Sequence, residues 1–460
     1  MNFLDKFLGD LAGWLWGWPL VILVTGAGLY FFIYSRLLPF RHFGLALSVL
    51  SGKHDKTSDT GAVSHFKALS VALAASIGMG NIAGVAVAIE LGGPGIVFWM
   101  WVSAIIGMAT KYFTCTLAVM FRTVDSSGQA SGGPMYVIIN GLGQKWKFLA
   151  WWFCFAGMAG CLPLFSANQL VQAANDLVAI PMGIENDLWV SAGLGITLAI
   201  ATGIVILGGL KRVSEVTSLI VPFMVALYVA LAIGVIVINF DVVPTYFALI
   251  FTDAFAPQFY KGDMVFGSAL GGLLVLGVRR AAFSNEAGLG TAPMAHGDAK
   301  TNEPVHEGLV AMLGPVIDTL IVCTMTALAI LISGVWQEAG NGGVTLTAMA
   351  FEQAYPGFGK GLLFLCVLAF GISSLFSYSY FGTKCAKFVF GESGGKAYSI
   401  FYVVTVFVGS ISSLGAILNF IDISFALMAV PTVVSAVLLS PHVLRETKKY
   451  FSRTQNLQQD

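Results

Sequence analysis

Two short runs in this 460-residue chain set polar side chains among clustered glycines inside otherwise apolar stretches. They are Ser76-Ile77-Gly78-Met79-Gly80-Asn81 and Phe283-Ser284-Asn285-Glu286-Ala287-Gly288-Leu289-Gly290. Glycine weakens a helix by about 1 kcal/mol per position, so both runs predict interrupted helices whose ends carry unpaired backbone groups. Free N–H groups at the start of a half-helix suit an anion, and freed carbonyls suit a cation. Such groups cost several kcal/mol each when left unpaired in hydrocarbon, so each break implies an occupant. Ser373 and Ser374 add hydroxyls of the kind that complete an oxygen cage around a hard cation. Back-bonding to carbonyls one turn earlier is the plain structural alternative for two such serines. Arg279, Arg280, Glu286, Asp318 and Lys111 also fall within apolar stretches, where ionisable groups mark function or pair with one another.

The elements that must position these residues follow from composition. Apolar residues make up 57% of the chain and charged ones only 10%, with a mean hydropathy of +0.82, whereas a soluble chain carries about a quarter charged residues. The solvent is therefore lipid. Lysine plus arginine and aspartate plus glutamate balance at 24 each, which excludes a strongly basic nucleic-acid footprint and a disordered polyelectrolyte. The six cysteines lack metal-type spacing and read as core packing. A span needs about 20 apolar residues, and scanning at that length predicts helices near 14–34, 66–90, 96–121, 148–175, 188–208, 215–239, 264–295, 306–333, 361–388, 397–418 and 422–443. Continuous runs rich in Gly, Ala and Leu exclude a closed barrel. With connections assigned alternately to the two sides, eighteen of the 24 basic residues fall on one side and three (Lys6, Lys261, Lys360) on the other. That asymmetry predicts an outside amino terminus and a cytoplasmic carboxyl terminus in the cell membrane.

With the first span peripheral, spans two to six and seven to eleven form two sets of five that start on opposite sides, each opening with its broken helix. The expected organisation is a peripheral helix and connection over 1–65, repeats over 66–240 and 241–445, and a cytoplasmic tail over 446–460. Paired interruptions at corresponding positions of inverted repeats point to a transporter site near the bilayer midplane. Close helix packing through small residues is the competing explanation. A channel would want a continuous polar path, commonly around an oligomeric axis. The six histidines lie in or near connections without a His-Glu-x-x-His pattern or a nucleophile elbow, so no enzyme is expected. Beyond membrane lipid, no obligate protein partner is evident.

The segment Gly92-Gly93-Pro94-Gly95-Ile96-Val97-Phe98-Trp99-Met100-Trp101-Val102-Ser103, the run Gly132-Gly133-Pro134-Met135-Tyr136 and the stretch from Arg279 to Pro293 resemble hallmarks of the alanine or glycine:cation symporters. The resemblance extends over nearly the whole chain. It implies sodium-driven uptake of small neutral amino acids through eleven helices, ten of them folded like the LeuT-type symporters.

An amino-acid zwitterion makes the residue types intelligible. N–H groups at Met79, Gly80 and Asn81 suit its carboxylate, and carbonyls freed around Phe283, Ser284 and Glu286 suit its ammonium. Gln172, in the amide-rich run from Asn168, matches a pocket glutamine of the family and is the expected side-chain amide; a polar helix-helix contact is the alternative. Ser374 and Tyr378 share a helix face, being four apart. The family usually carries threonine and tryptophan at these two places with glycine before the tryptophan, so Ser374, Ser377 and Tyr378 depart from it. Alanine or glycine is the expected substrate, with serine or glutamine kept open. By resemblance to the LeuT-type sodium site, carbonyls of Ala74, Ile77 and Phe370 join Ser373 and Ser374 around co-transported sodium. A proton could substitute if an ionisable group took the cation's place, so a proton-coupled or exchanging carrier for another neutral amino acid such as serine or glutamine is the alternative.

Overall fold

The computed structural model describes residues 3–54, 61, 63–124, 130–184, 187–206, 209–262, 264, 268–337 and 343–456. Lys56, counted above on the basic side, lies outside them. Helices α1 (Phe3–Leu15) and α2 (Trp18–Tyr34) meet at a 43° bend, where Pro19 starts α2 without needing an N–H partner. Next come α3 (His65–Ser76), a π-helical turn Gly80–Gly84 and α4 (Val85–Gly92), bent by 49°. Helices α5 (Ile96–Met120), α6 (Lys147–Gly160), α7 (Leu164–Ala174), α8 (Leu188–Ile206), α9 (Gly209–Ile238) and α10 (Val243–Phe255) complete the first half and its exit. The second half runs through α11 (Ala269–Asn285), α12 (Thr291–His296), α13 (Pro304–Ala311), α14 (Thr324–Ser333), α15 (Val344–Ala354), α16 (Gly359–Ile411) and α17 (Leu414–Asn456). Among the described residues, seven helices are long and apolar enough to cross a membrane, or nine with the two bent pairs. The fold of the described residues is all-α apart from a strand pair, Thr123–Val124 with Ala130–Ser131, and a bridge between Val63 and Ala299.

Both predicted interruptions are present. At the first, Ile77 leaves helical geometry (φ −78°, ψ 76°) and the Gly78 N–H turns back to the Ser76 carbonyl at 2.9 Å. At the second, α11 stops where Glu286 adopts a left-handed conformation (φ 54°), and Gly288 and Gly290 follow at φ 86° and 97°. Left-handed backbone is open to glycine at little cost, which explains the spacing of that run.

Three boundaries differ from expectation. The span expected over 148–175 is broken between α6 and α7 at Cys161-Leu162-Pro163, because proline cannot continue the preceding hydrogen-bond ladder. Helix α16 turns at Gly391 (φ 73°), which separates the ninth expected span from the tenth. The tenth ends at Ile411 rather than 418, since Ser412 is extended (φ −86°, ψ 157°) and the Ser413 carbonyl opens the next helix. That last helix runs on to Asn456 with no break at 446, and Arg453 reaches Glu303 at 2.7 Å. All six cysteines are free and buried.

Candidate functional site

The breaks in α3–α4, α6–α7 and α11–α12 meet beside α16 and α17 around a small central cavity. Met79, Gly80, Phe283, Ser374 and Tyr378 line it, with Phe165 and Ser166 from the start of α7. Its free volume is ≈ 20 Å³, little more than the ~10–15 Å³ that admits a single water, so the walls stand close together. Phe283 packs edge-on against Phe165, ring centres 5.1 Å apart, and lies 5.8 Å from Phe425 of α17. Gly80 eases this approach: a Cβ there would sit 3.2 Å from the Phe283 ring and ask it to give by a few tenths of an ångström.

On the other side of the α3 break lies a cluster of oxygens. Ser374 Oγ donates to the carbonyls of Ala74 (3.1 Å) and Phe370 (3.0 Å), and Ser373 Oγ donates to Phe370 (3.0 Å). Both serines are buried. Ile77 stands at the break itself, its N–H held by the Leu73 carbonyl. Gly78 leaves the room that Ser374 occupies, since a Cβ would fall 2.0 Å from its Oγ. No group of three or more His, Cys, Asp or Glu side chains able to hold a metal occurs among the described residues; the oxygens gathered here are carbonyls and hydroxyls. Ser374 belongs to both neighbourhoods, cavity wall and oxygen cluster.

The remaining sequence-predicted residues fall elsewhere. Asn81 and Ser284 turn away from the cavity toward Asp318, donating to its Oδ1 at 2.9 and 2.5 Å, and Ser284 also meets Thr319 at 3.0 Å. In this buried cluster Asn81 Oδ1 has no hydrogen-bond partner, and Ser76 bonds Asp318. The Glu286 carboxylate accepts hydrogen bonds from Tyr378 and Thr291, which ties the second break to the cavity wall. Gln172 does not reach the cavity. It lies six residues beyond Ser166, about 9 Å of helical rise, and donates to Thr345 of α15 at 3.0 Å while accepting from Gln169 at 2.7 Å.

Ion pairs flank the site above and below. Arg279 Nε reaches Asp422 of α17 at 2.7 Å, and Arg280 joins the same carboxylate at 3.3 Å. At the opposite end of the bundle Lys384 Nζ donates to Asp298 at 2.6 Å. Nearby, the two oxygens of buried Glu307 take one bond each from His65 and His296, so one carboxylate joins α3 to α12. Sequence reasoning missed Phe165 and Ser166, although Gly160 and Pro163 announce the turn that presents them. It also missed Asp422 and Glu307, whose partners lie 142 or more and 242 residues away for Arg280 and His65, a separation no local pattern carries.

A family model described as the sodium:alanine symporter family matches residues 1–460. The chain is 38% identical over 457 residues to the sodium/alanine symporter AgcS of Methanococcus maripaludis, covering 98% of each protein. It is 31% identical over 450 residues to the amino-acid carrier protein AlsT of Bacillus subtilis, covering 98% of this chain and 92% of that one. The crystal structure of MhsT in complex with L-phenylalanine superimposes with a TM-score of 0.62 at 14% identity, over 85% of this chain and 93% of that one. The architecture is thus the LeuT type, in an integral membrane protein.

Proposed function

Because the chain belongs to the sodium:alanine symporter family, a family of cation-coupled amino-acid symporters and not of enzymes, we propose that it carries a small neutral amino acid, alanine or glycine, inward with sodium by alternating access. The observation that carries this reading is the double membership of Ser374, which lines the central cavity and also bonds the Ala74 and Phe370 carbonyls. A substrate in the cavity and a cation among those oxygens would share one hydroxyl and one broken backbone, which is what coupling requires.

In this reading Met79, Gly80, Phe283, Ser374 and Tyr378 enclose the substrate. Its carboxylate takes the N–H groups at Met79-Gly80-Asn81, and its ammonium takes carbonyls near Phe283, Ser284 and Glu286. Sodium takes the carbonyls of Ala74, Ile77 and Phe370 with Ser373 and Ser374. Residues 66–240 and 241–445 act as the two opposed repeats, with the amino terminus outside and the carboxyl terminus cytoplasmic. A membrane potential of ~100 mV contributes about 2.3 kcal/mol per sodium, and a tenfold sodium gradient about 1.4 kcal/mol. Together these support accumulation on the order of several hundredfold.

A second reading, coupling to a proton, is favoured by one feature: Asp318 is a fully buried carboxylate next to the first break, held by the Asn81 and Ser284 side chains with no cation within bonding distance among the described residues. Uptake of labelled alanine, glycine, serine and glutamine into proteoliposomes, with sodium, potassium and pH gradients imposed separately, separates the two. The proposal expects sodium alone to drive accumulation of alanine or glycine. Accumulation driven by the pH gradient without sodium assigns the coupling to a proton, and failure of sodium to stimulate any of the four removes the sodium reading.

A further inference from the structure

A second cavity is far larger than the central one. A chamber of ≈ 390 Å³, within the range of about 300–1,000 Å³ usual for small-molecule sites, opens at the end of the bundle that carries most of the basic residues. Its inner wall holds Asp298, just past the end of α12, with Tyr380 and Lys384 of α16. Lys384 Nζ donates to Asp298 at 2.6 Å, to the Met294 carbonyl at 2.8 Å and to the Tyr380 hydroxyl at 3.2 Å, and Tyr380 donates to the second Asp298 oxygen. At the mouth Lys387 pairs with Glu392 at 2.9 Å, both well exposed. Ile206 and Val213 supply an apolar side.

These groups specify a ligand class. Among the described residues of the lining two cations and two carboxylates balance, so a net anion or net cation would leave an uncompensated charge beside them in a partly buried space, which is costly. A zwitterion would not: its carboxylate can take the place of Asp298 beside Lys384 while its ammonium faces Asp298 or Glu392, and a short side chain can lie against Ile206 and Val213. We propose that this chamber is a second binding site for the neutral amino acid, weaker than the central one and on its cytoplasmic side, entered as the substrate leaves. The proposal rests on the symport reading above. Occupancy also has a mechanical consequence, because the Lys384–Asp298 pair joins the end of α12 to α16. A ligand that engages each partner separately replaces that bridge and favours the separated arrangement by its difference in affinity.

The test counts sites. Equilibrium binding of labelled alanine to the purified full-length protein in sodium should show two saturable components per chain, one tight and sodium-dependent, one weak. Thr383→Trp fills the chamber and should abolish the weak component while sparing the tight one. Lys387→Glu, at an exposed rim position, turns the balanced lining net negative and repels the ligand carboxylate, and should weaken the second component about tenfold, an effect the size of one charge-assisted hydrogen bond. Gly80→Val, which closes the central cavity against Phe283, should remove the tight component and leave the weak one. A single component in the wild-type protein, or a weak component unchanged in Thr383→Trp and Lys387→Glu, overturns the chamber site while the symport reading stands. Absence of binding by alanine, glycine, serine and glutamine alike overturns both.

Discussion

The contact between Gly78 and Ser374 allows the cation cage to be tested by two substitutions that should not add. In Ser374→Ala the hydroxyl that joins Ala74 and Phe370 is lost. A hydrogen bond or ion-dipole contact to a charged group is worth about 1.5–3 kcal/mol, which converts to a rise of roughly 10- to 150-fold in the sodium concentration for half-maximal uptake. In Gly78→Ala the new methyl would stand 2.0 Å from Ser374 Oγ, so the hydroxyl must leave the same two carbonyls and the defect should be at least as large. The double variant removes the colliding atom. The next obstacle, Ser374 Cβ, is 3.2 Å away and needs only a small shift, so the double variant should resemble Ser374→Ala alone. The assay is sodium-dependent alanine uptake in proteoliposomes, with thermal melting to confirm folding and a double-mutant cycle to extract the coupling. Half-maximal sodium unchanged in Ser374→Ala, or additive defects in the pair, would refute the cage.

Other perturbations follow from the same geometry. Tyr378→Phe leaves one oxygen of buried Glu286 without its donor, at a cost of about 1–3 kcal/mol; the melting temperature should fall, and an unchanged value contradicts the contact. Tyr378→Trp enlarges a cavity wall and should shift competition toward glycine and alanine over serine and glutamine; identical selectivity would remove Tyr378 from the substrate site. Asp422→Asn strips the counter-charge from Arg279 and Arg280 and should destabilise the protein by about 3–5 kcal/mol, read by thermal unfolding, whereas wild-type stability would mean the three groups are not a unit. In the turn after α15, the backbone N–H groups of Lys360 and Gly357 hold the exposed Glu352 carboxyl below its usual pKa. A lowered folded-state pKa gives stability that is complete above the ordinary value and lost as pH falls through the lowered one. Hydrogen-exchange protection of those two amides should therefore drop below about pH 4.5 and lose this dependence in Glu352→Gln; protection that ignores pH would contradict it.

The breaks were legible because glycine and polar side chains in an apolar run leave few other arrangements, and both Ile77-Gly78 and Glu286–Gly290 depart from helix where that pattern stands. For the serine pair the structure shows the plain alternative, Ser373 and Ser374 both bonding back to the Phe370 carbonyl one turn earlier, with Ser374 alone also reaching Ala74 on α3. Which way a side chain points was not legible. Asn81 and Ser284 sit in the right runs yet turn toward Asp318, because helix phase at a break depends on how many backbone bonds are skipped. Gln172 shows the same limit, since the turn at Pro163 moves the start of α7 to the cavity and carries the glutamine beyond it. Partners brought together across the fold, Asp422 with Arg279 or Glu307 with His65, leave no trace in local spacing.

The account stands on one coupled site in which amino acid and sodium favour each other across the broken helices. The most direct measurement is the dissociation constant of alanine for the purified protein without sodium and at saturating sodium, paired with that of sodium with and without alanine. Linkage requires the two ratios to be equal, and the account predicts a common tightening of roughly 5- to 150-fold, the range of typical site-site coupling, that disappears in Ser374→Ala. Alanine affinity indifferent to sodium would contradict it.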